Sequence, residues 1–272
     1  MASSHSTFGT QALPDRQRRA NAAVYRKPST VREYASQREM PCNEGVALLH
    51  YHAAFAGRDV LDVGVGAGRT ARFLVPLAGR YECIDYSPSM VEFMQRTLPE
   101  VSTSLCDACD LARFADASFD MVFASNCVID ALSPADRLAA LSEACRVLRP
   151  GGIYMFSSHN LCYEHARAEP RLVLEGTWFN KLRTLRSWIR QKRNHRRMRG
   201  LRRIEKDYAL LNDTGHEYSL LHYYIDVPGQ RRQLGDAGMQ LLDVFNGDGR
   251  RLTEGDMGVG DLVLFYVARR VA

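Results

Sequence analysis

The 272-residue chain is 46% hydrophobic and 25% charged, an ordinary balance for a soluble globular protein of one large or two small domains. Its net charge of +5 is uneven: residues 181–203, KLRTLRSWIRQKRNHRRMRGLRR, hold eleven Lys and Arg with no Asp or Glu, while the remainder sets 25 Lys and Arg against 31 Asp and Glu. That asymmetry argues for a local partner surface and against a globally basic nucleic-acid binder, and no apolar run reaches the ~18 residues of a membrane span.

The opening residues, MASSHSTFGTQALPDRQRR, lack the apolar core of a secretory signal, so a cytoplasmic location is expected. Residues 1–25 are polar and aperiodic and predict a disordered tail, leaving 26–272 as one domain. A helical pattern covers 29–56. Strands and helices then alternate: DVLDVGV (59–65) predicts a buried strand, ARFLVPLAG (71–79) a helix, RYECID (80–85) a strand. SPSMVEFMQRTL (87–98) predicts a helix with Ser and Pro at its start. Strands at 101–106 and 118–125 follow, then a Ser-Pro-initiated helix at 133–148, a PGG turn and a strand at 153–158. The rhythm lapses over 160–227 and resumes with a helix at 229–238 and strands at 239–246 and 261–269. A short loop between these last two predicts an antiparallel hairpin. Such alternation argues an α/β fold with a mostly parallel sheet and right-handed crossovers. Seven cysteines are scattered; Cys106 and Cys109, in CDAC, have no second pair at metal-ligand spacing, so reduced thiols and no metal are expected.

VLDVGVGAGRT (60–70) carries the strongest motif. A strand runs into Gly64, Gly66 and Gly68, and a helix follows whose N-terminal amides favour an anionic or polar ligand. The spacing departs from a dinucleotide GxGxxG, with Arg69 at the third glycine position, and no Walker lysine is present. Alone, such a loop equally serves packing. Its context is Asp85 ending the second strand, where a carboxylate can accept both hydroxyls of a ribose, Asp107 just beyond the third, where it can accept from an adenine amine, and Asp62 beneath the glycine turn.

VLDVGVGAGRT, YECIDYSPSMV, LCDACDLARFADASFDMVF and RVLRPGGIYMFSS, in this order, resemble the class I S-adenosylmethionine-dependent methyltransferases. The resemblance implies a Rossmann-like seven-stranded sheet with its last strand antiparallel and S-adenosylmethionine as cofactor. Gly64, Gly66 and Gly68 would then line the methionine part, Asp85 the ribose, Tyr86 and Met90 the side of the adenine, and Asp107 with the Ala108 backbone its edge. Ser125 and Asn126 would lie under the sulfonium. Arg69 fits either a contact to the cofactor carboxylate or a salt bridge at the sheet edge. Tyr34 resembles the tyrosine that folds over the cofactor in related enzymes, and is otherwise a core aromatic.

Methyl transfer from a sulfonium rests mainly on holding the nucleophile in line, with a base needed only where the nucleophile carries a proton. Asp130, His159 and His222 are the candidate catalytic residues, and His216, Tyr218, Tyr223 and Tyr224, in NDTGHEYSLLHYYID, candidate substrate contacts. Residues 160–227 read as an α-rich substrate lid between strands five and six. Within it, Trp178, Leu182, Leu185 and Ile189 recur at helical spacing, giving a basic amphipathic helix with Trp188 beside the stripe. The expected function is methyl transfer to a small polar, anionic metabolite or natural-product intermediate. Two alternatives use the same helix: an RNA or other macromolecular acceptor, and a membrane-surface enzyme in peripheral lipid contact through 178–203. Oligomeric state is not encoded in any of these features.

Overall fold

The computed structural model describes residues 21, 24–175 and 177–271. Its parallel core is β1 (Asp59–Val63), β2 (Arg80–Asp85), β3 (Ser102–Leu105), β4 (Phe119–Ala124) and β5 (Leu148–Asn160), in the spatial order β3-β2-β1-β4-β5. β10 (Val263–Arg270) lies antiparallel along β5, and β9 (Met239–Phe245) antiparallel along β10. All seven expected strands are therefore present, and the predicted hairpin closes one side of the sheet.

Three further strands come from the insertion: β6 (Arg203–Ile204), β7 (Tyr208–Leu211) and β8 (His222–Ile225). β8 pairs with the very end of β5, His159 opposite Tyr224 and Asn160 opposite Ile225, so the sheet has ten strands. The insertion is not simply α-rich, because its aromatic run HYYI is buried throughout and takes the strand that such residues favour.

The helices are α1 (Pro28–Ser36), α2 (Cys42–His50), α3 (His52–Phe55), α4 (Ala71–Leu74), α5 (Pro88–Thr97), α6 (Pro134–Val147), α7 (Trp178–Arg199) and α8 (Val227–Asp236). Ser133 caps α6 by accepting the Asp136 amide at 3.2 Å, and Asp226 caps α8 by accepting the Gly229 amide at 2.7 Å. The helix expected over 71–79 stops as α4, because Pro76 cannot donate to the carbonyl four residues back. The pattern over 29–56 divides into α1, α2 and α3. Apolar side chains fill both faces of the sheet: Phe119, Phe156 and Tyr266 pack with Leu141 and Leu234 on one, Phe123, Met155 and Phe265 with Phe55 and Leu48 on the other.

Of the predicted tail, Asn21, Val24 and Tyr25 are helical and Asn21 is buried, its amide donating to the Ala131 carbonyl at 2.5 Å. The tail thus ends earlier than expected; residues 1–20, 22 and 23 lie outside the described residues.

α7 is amphipathic in the opposite sense to the one predicted. Of the expected stripe, Trp178, Leu182 and Ile189 face outward and Leu185 is half-buried, while Ser187, Trp188, Asn194 and His195 turn inward. Ser187 and Arg190 donate to the Glu217 carboxylate at 3.0 and 2.7 Å, and Asn194 donates to the Glu217 carbonyl at 2.9 Å. The apolar stripe is therefore not what docks the helix.

Arg137, on α6, has no exposed surface. Its guanidinium pairs with Asp130, donates to Ser158 Oγ at 3.1 Å and to Gln230 at 2.5 Å, and lies 4.5 Å over the Tyr223 ring. Replacing Arg137 by Leu leaves the Asp130 carboxylate buried without its cation, and should lower stability by about 3–5 kcal/mol, read as a fall in the urea midpoint.

Candidate active site

Where β1, β2, β3 and β4 end, a cleft of about 690 Å³ opens, joined by a second compartment of about 570 Å³; Gly64, Asp85, Tyr86, Val128 and Ala131 line both. The three glycines divide the work. Gly64 has φ +72°, and a Cβ there would meet Val128 at 2.5 Å; Gly68 has φ +83°, and a Cβ would meet Met94 Sδ at 2.5 Å. Gly66, at φ +57°, faces the cleft, where a Cβ would stand 3.4 Å from the Tyr34 ring. Gly68 is absent from the lining of the cleft and acts as a packing residue against α5, a correction to its expected place beside the ligand.

Asp85 holds this turn to the second strand. Its two carboxylate oxygens accept the Gly66 amide at 2.9 Å and the Ser87 amide at 2.8 Å. Burial pushes its pKa up to about 6, although both amides pull the other way. Asp62 is buried beneath, accepting from Thr70 Oγ and from Tyr81 at 2.6 Å, and burial likewise pushes it to about 6. Asp62 thus braces the turn through the side chains of Thr70 and Tyr81.

Tyr25, Tyr34 and Tyr86 form an aromatic wall over the cleft, with Tyr25 meeting Tyr34 at 6.1 Å and Tyr86 at 5.8 Å. The His216 ring lies parallel to Tyr34, 6.4 Å away. Burial raises Tyr34 to about 12, so it stays a neutral phenol. Met90 lines the first compartment; Asp107 and Ala108 line the second among Ile84, Val128 and Leu132. Ser125 and Asn126 sit at the end of β4. Arg69 lines the cleft, but its guanidinium pairs with Glu44 at 2.9 Å and donates to Ser125 Oγ, which in turn donates to Glu44 at 2.5 Å. Of its two expected roles, the salt bridge is the one the geometry displays.

Beyond β4 the chain passes through Asn126 and Cys127, both at φ +55°, and turns into the segment that bears Asp130. Such left-handed conformations in non-glycine residues cost about 1–3 kcal/mol each and cluster at functional sites. Here four titratable side chains converge. His159 Nδ1 is 2.7 Å from Asp130 Oδ2, and His222 Nδ1 is 2.7 Å from Asp213 Oδ2. The two imidazoles stack with centroids 4.7 Å apart, and Tyr224 donates to Asp213 at 2.7 Å. Each carboxylate fixes a tautomer: the Nδ1 proton faces the acid, and Nε2 keeps its lone pair. Burial alone would lower the pKa of His222, but the Asp213 charge and hydrogen bond outweigh it and hold it above the ordinary value. Burial would raise Asp130 and Asp213; Arg137 and His159 for the first, His222 and His159 for the second, lower them instead. Burial, reinforced by Asp130, raises Cys127, which stays a thiol.

His159, Asp213 and His222 lie close enough together to suggest metal ligands. Their rings, however, are only 8° from parallel. In-plane lone pairs on stacked rings do not meet at one ion, so the cluster is read as two acid–imidazole pairs.

Residues 60–152 match the family model of a methyltransferase domain. The chain is 36% identical over 105 residues to a probable S-adenosylmethionine-dependent methyltransferase of Mycolicibacterium smegmatis, covering 39% of each chain. It is 36% identical over 104 residues to a malonyl-[acyl-carrier protein] O-methyltransferase of Methylococcus capsulatus, covering 36% of each. The fold matches that of Burkholderia thailandensis 1,6-didemethyltoxoflavin-N1-methyltransferase with TM-score 0.59 at 16% identity, over 100% of this chain and 94% of that one.

Residues 60–152 thus carry a methyltransferase domain, and the chain is similar to S-adenosylmethionine-dependent methyltransferases. It matches the two curated relatives over less than half of their lengths. The 160–227 segment supplies His222, Asp213 and Tyr224 to the cluster around His159 at the end of β5.

Two expected substrate contacts do not reach that end. Tyr223 points to the opposite side of β8, beneath Arg137 and stacked on Tyr208 at 4.6 Å. Tyr218 is buried against His195, centroids 5.5 Å apart. Strand alternation explains the first, since in HYYI the residues on one face are His222 and Tyr224. Sequence reasoning did not find Asn21, Tyr25, Glu44, Cys127, Arg137 or Asp213. A charged residue on the apolar side of helix 133–148 was the available signal for Arg137; Asp213, in a loop, carried none.

Gly66→Val and Gly68→Ala should part company. Gly68→Ala should cost about 1–3 kcal/mol of stability in urea unfolding, because its Cβ overlaps Met94 and its φ is left-handed. Gly66→Val, opposite Tyr34, should instead abolish the binding of S-adenosylhomocysteine followed by calorimetry.

Proposed function

We propose that this chain transfers a methyl group from S-adenosylmethionine to a small polar acceptor bearing a removable proton, with His159 as the base. The observation that carries the proposal is the Asp130–His159 pair, buried at the carboxyl edge of β4 and β5 beside the strained Asn126–Cys127 segment. The cradle suits the cofactor. Asp85 has lone pairs beyond those accepting the Gly66 and Ser87 amides for ribose hydroxyls, the second compartment offers an apolar slot edged by Asp107 and Ala108, and Gly66 leaves the room beneath Tyr34. Met90, Tyr86 and Ser125 line the same compartment and would make the neighbouring contacts. The cofactor supplies an electrophilic methyl on a sulfonium.

The chain supplies orientation and proton transfer. Asp130, itself fixed by Arg137, Ser158 and the His159 amide, orients the His159 ring, whose Nε2 lies 3.7 Å from Asp213 and would take the acceptor's proton. His222 stacks on His159, and Asp213 outweighs burial to raise its pKa, which would favour an acceptor that is anionic or becomes so as its proton leaves. Tyr224 fixes Asp213. His216 closes the cleft over Tyr34. A hydroxyl, thiol or amine on a small polar molecule meets these requirements, and an anionic group on it would gain from His222.

A panel of small hydroxyl, thiol and amine acceptors, read by mass spectrometry for a gain of one methyl, tests the activity. His159→Asn should lower kcat by about 10²–10⁴-fold while leaving S-adenosylhomocysteine affinity unchanged. Equal turnover in the variant would remove His159 from its role.

The Asp85 carboxylate gives a second measurement. Ribose hydroxyls donate to the charged form, so affinity for S-adenosylhomocysteine should be flat at neutral pH and fall about tenfold per pH unit below about 6. Asp85→Asn should bind more weakly and lose that dependence.

A further inference from the structure

No helix among the described residues is long and apolar enough to cross a membrane. α7 nevertheless presents to solvent a surface that soluble helices avoid. Trp178, Phe179, Leu182 and Ile189 are 61%, 67%, 43% and 53% exposed. Leu172, Val173 and Leu174, just before the helix, are exposed as well. At 100° per residue Trp178, Leu182 and Ile189 fall within one narrow stripe, diametrically opposite the inward Ser187 and Asn194. Arg186, Arg193 and Arg196 border or extend that stripe, and all three are exposed.

We propose that α7 seats this methyltransferase on an anionic lipid surface. The partner is identified by the pairing of two features on one face. Eleven cations without a single acid, over residues 181–203, attract a negatively charged surface, each worth most within a Debye length of it. A phosphate-bearing polymer would satisfy that charge equally. It would leave aliphatic Leu182 and Ile189, with Leu172–Leu174, in water, because bases stack on rings and gain little from branched alkyl groups. An acyl-chain boundary accepts both: the stripe enters it, Trp178 and Phe179 sit at the headgroup level, and the arginine stems lie along the apolar surface with their guanidinium groups on phosphate.

The inward face ties this seat to the cleft. Ser187, Arg190 and Asn194 grip Glu217. Glu217 lies inside a run of three left-handed non-glycine residues, His216, Glu217 and Tyr218, at φ 47°, 55° and 62°. His216 lies over Tyr34. The surface of α7 that meets lipid is thus one helix diameter from the turn that covers the cofactor cradle, and the mouth of the cleft is carried to the lipid boundary.

The full chain is sedimented with phosphatidylglycerol-rich vesicles and with pure phosphatidylcholine vesicles, at low and high salt. Binding is expected to the first alone and to weaken with salt. Leu182→Ser/Ile189→Ser keeps every charge and should lose about 100-fold in vesicle affinity, with S-adenosylhomocysteine binding unchanged as evidence of folding. In Trp188→Phe, the emission of Trp178 should shift to the blue on vesicle addition and be quenched by brominated acyl chains. Undiminished vesicle binding by the double Ser variant, or an unquenched Trp178, would reduce the contact to unspecific charge and overturn the proposal. Absence of binding to anionic vesicles would also overturn it, as would transfer RNA that is retained with the same sensitivity to the two Ser substitutions, which assigns the face to nucleic acid. None of these readouts depends on methyl transfer.

Discussion

A guanidinium with no access to water organises the chemical half of this molecule. Arg137 leaves α6, crosses under the sheet and meets Asp130, Ser158, Gln230 and the face of Tyr223. Removing a charge from water costs several kcal/mol unless its hydrogen bonds are replaced, and here groups from the turn after β4, from β5, from α8 and from β8 surround it at once. Four elements are locked in register by one side chain. Asp130, in turn, has both oxygens committed: one to Arg137 and Ser158, the other to the His159 amide and ring. An imidazole held this way has one ring orientation and one tautomer. The His159 ring is positioned by groups of the core.

The cofactor half follows a different rule. Asp62 and Asp85 are buried carboxylates whose pKa values are pushed up to about 6, with no cation bonded to either. Their stabilisation comes from amides and hydroxyls, which donate without neutralising. An uncompensated carboxylate retains acceptor strength for a ligand that brings its own donors, as a ribose does. Arg69, the nearest cation, is withheld from both by Glu44 and Ser125. Asp130 is thus neutralised by a buried cation, whereas Asp85 is held by backbone amides alone.

The parallel core was legible because buried strands are apolar runs and α5 and α6 each begin with Ser-Pro. Gly64 and Gly66 were legible as a strained turn, and Asp85 as an acid at the end of the next strand. What was hidden depended on partners far away in the chain. Asp213 becomes meaningful only when β8 pairs with the last two residues of β5, a contact spanning more than fifty residues. Tyr223 and Tyr224, neighbours in sequence, separate because a strand sends alternate side chains to opposite faces. Tyr25 was hidden in a polar segment whose helical turn is fixed by the cleft it lines. The 71–79 helix failed at Pro76, a local signal that periodicity had outweighed.

Helix α7 carries the sharpest reversal. Its apolar residues were expected to dock it, yet hydrogen bonds from Ser187, Arg190 and Asn194 do so instead, and the apolar stripe faces out. The reason lies in what it must hold. A turn of three successive left-handed residues is costly, and apolar packing has no direction with which to enforce it. Two donors on the Glu217 carboxylate and one on its carbonyl do have direction. Trp188 turns inward beside the polar clamps, and Trp178, Leu182 and Ile189 are left outside the core. They would have been replaced by polar ones at no cost to folding if water alone met them. The same polar clamping that keeps His216 over Tyr34 therefore leaves Trp178, Leu182 and Ile189 for a surface outside the chain.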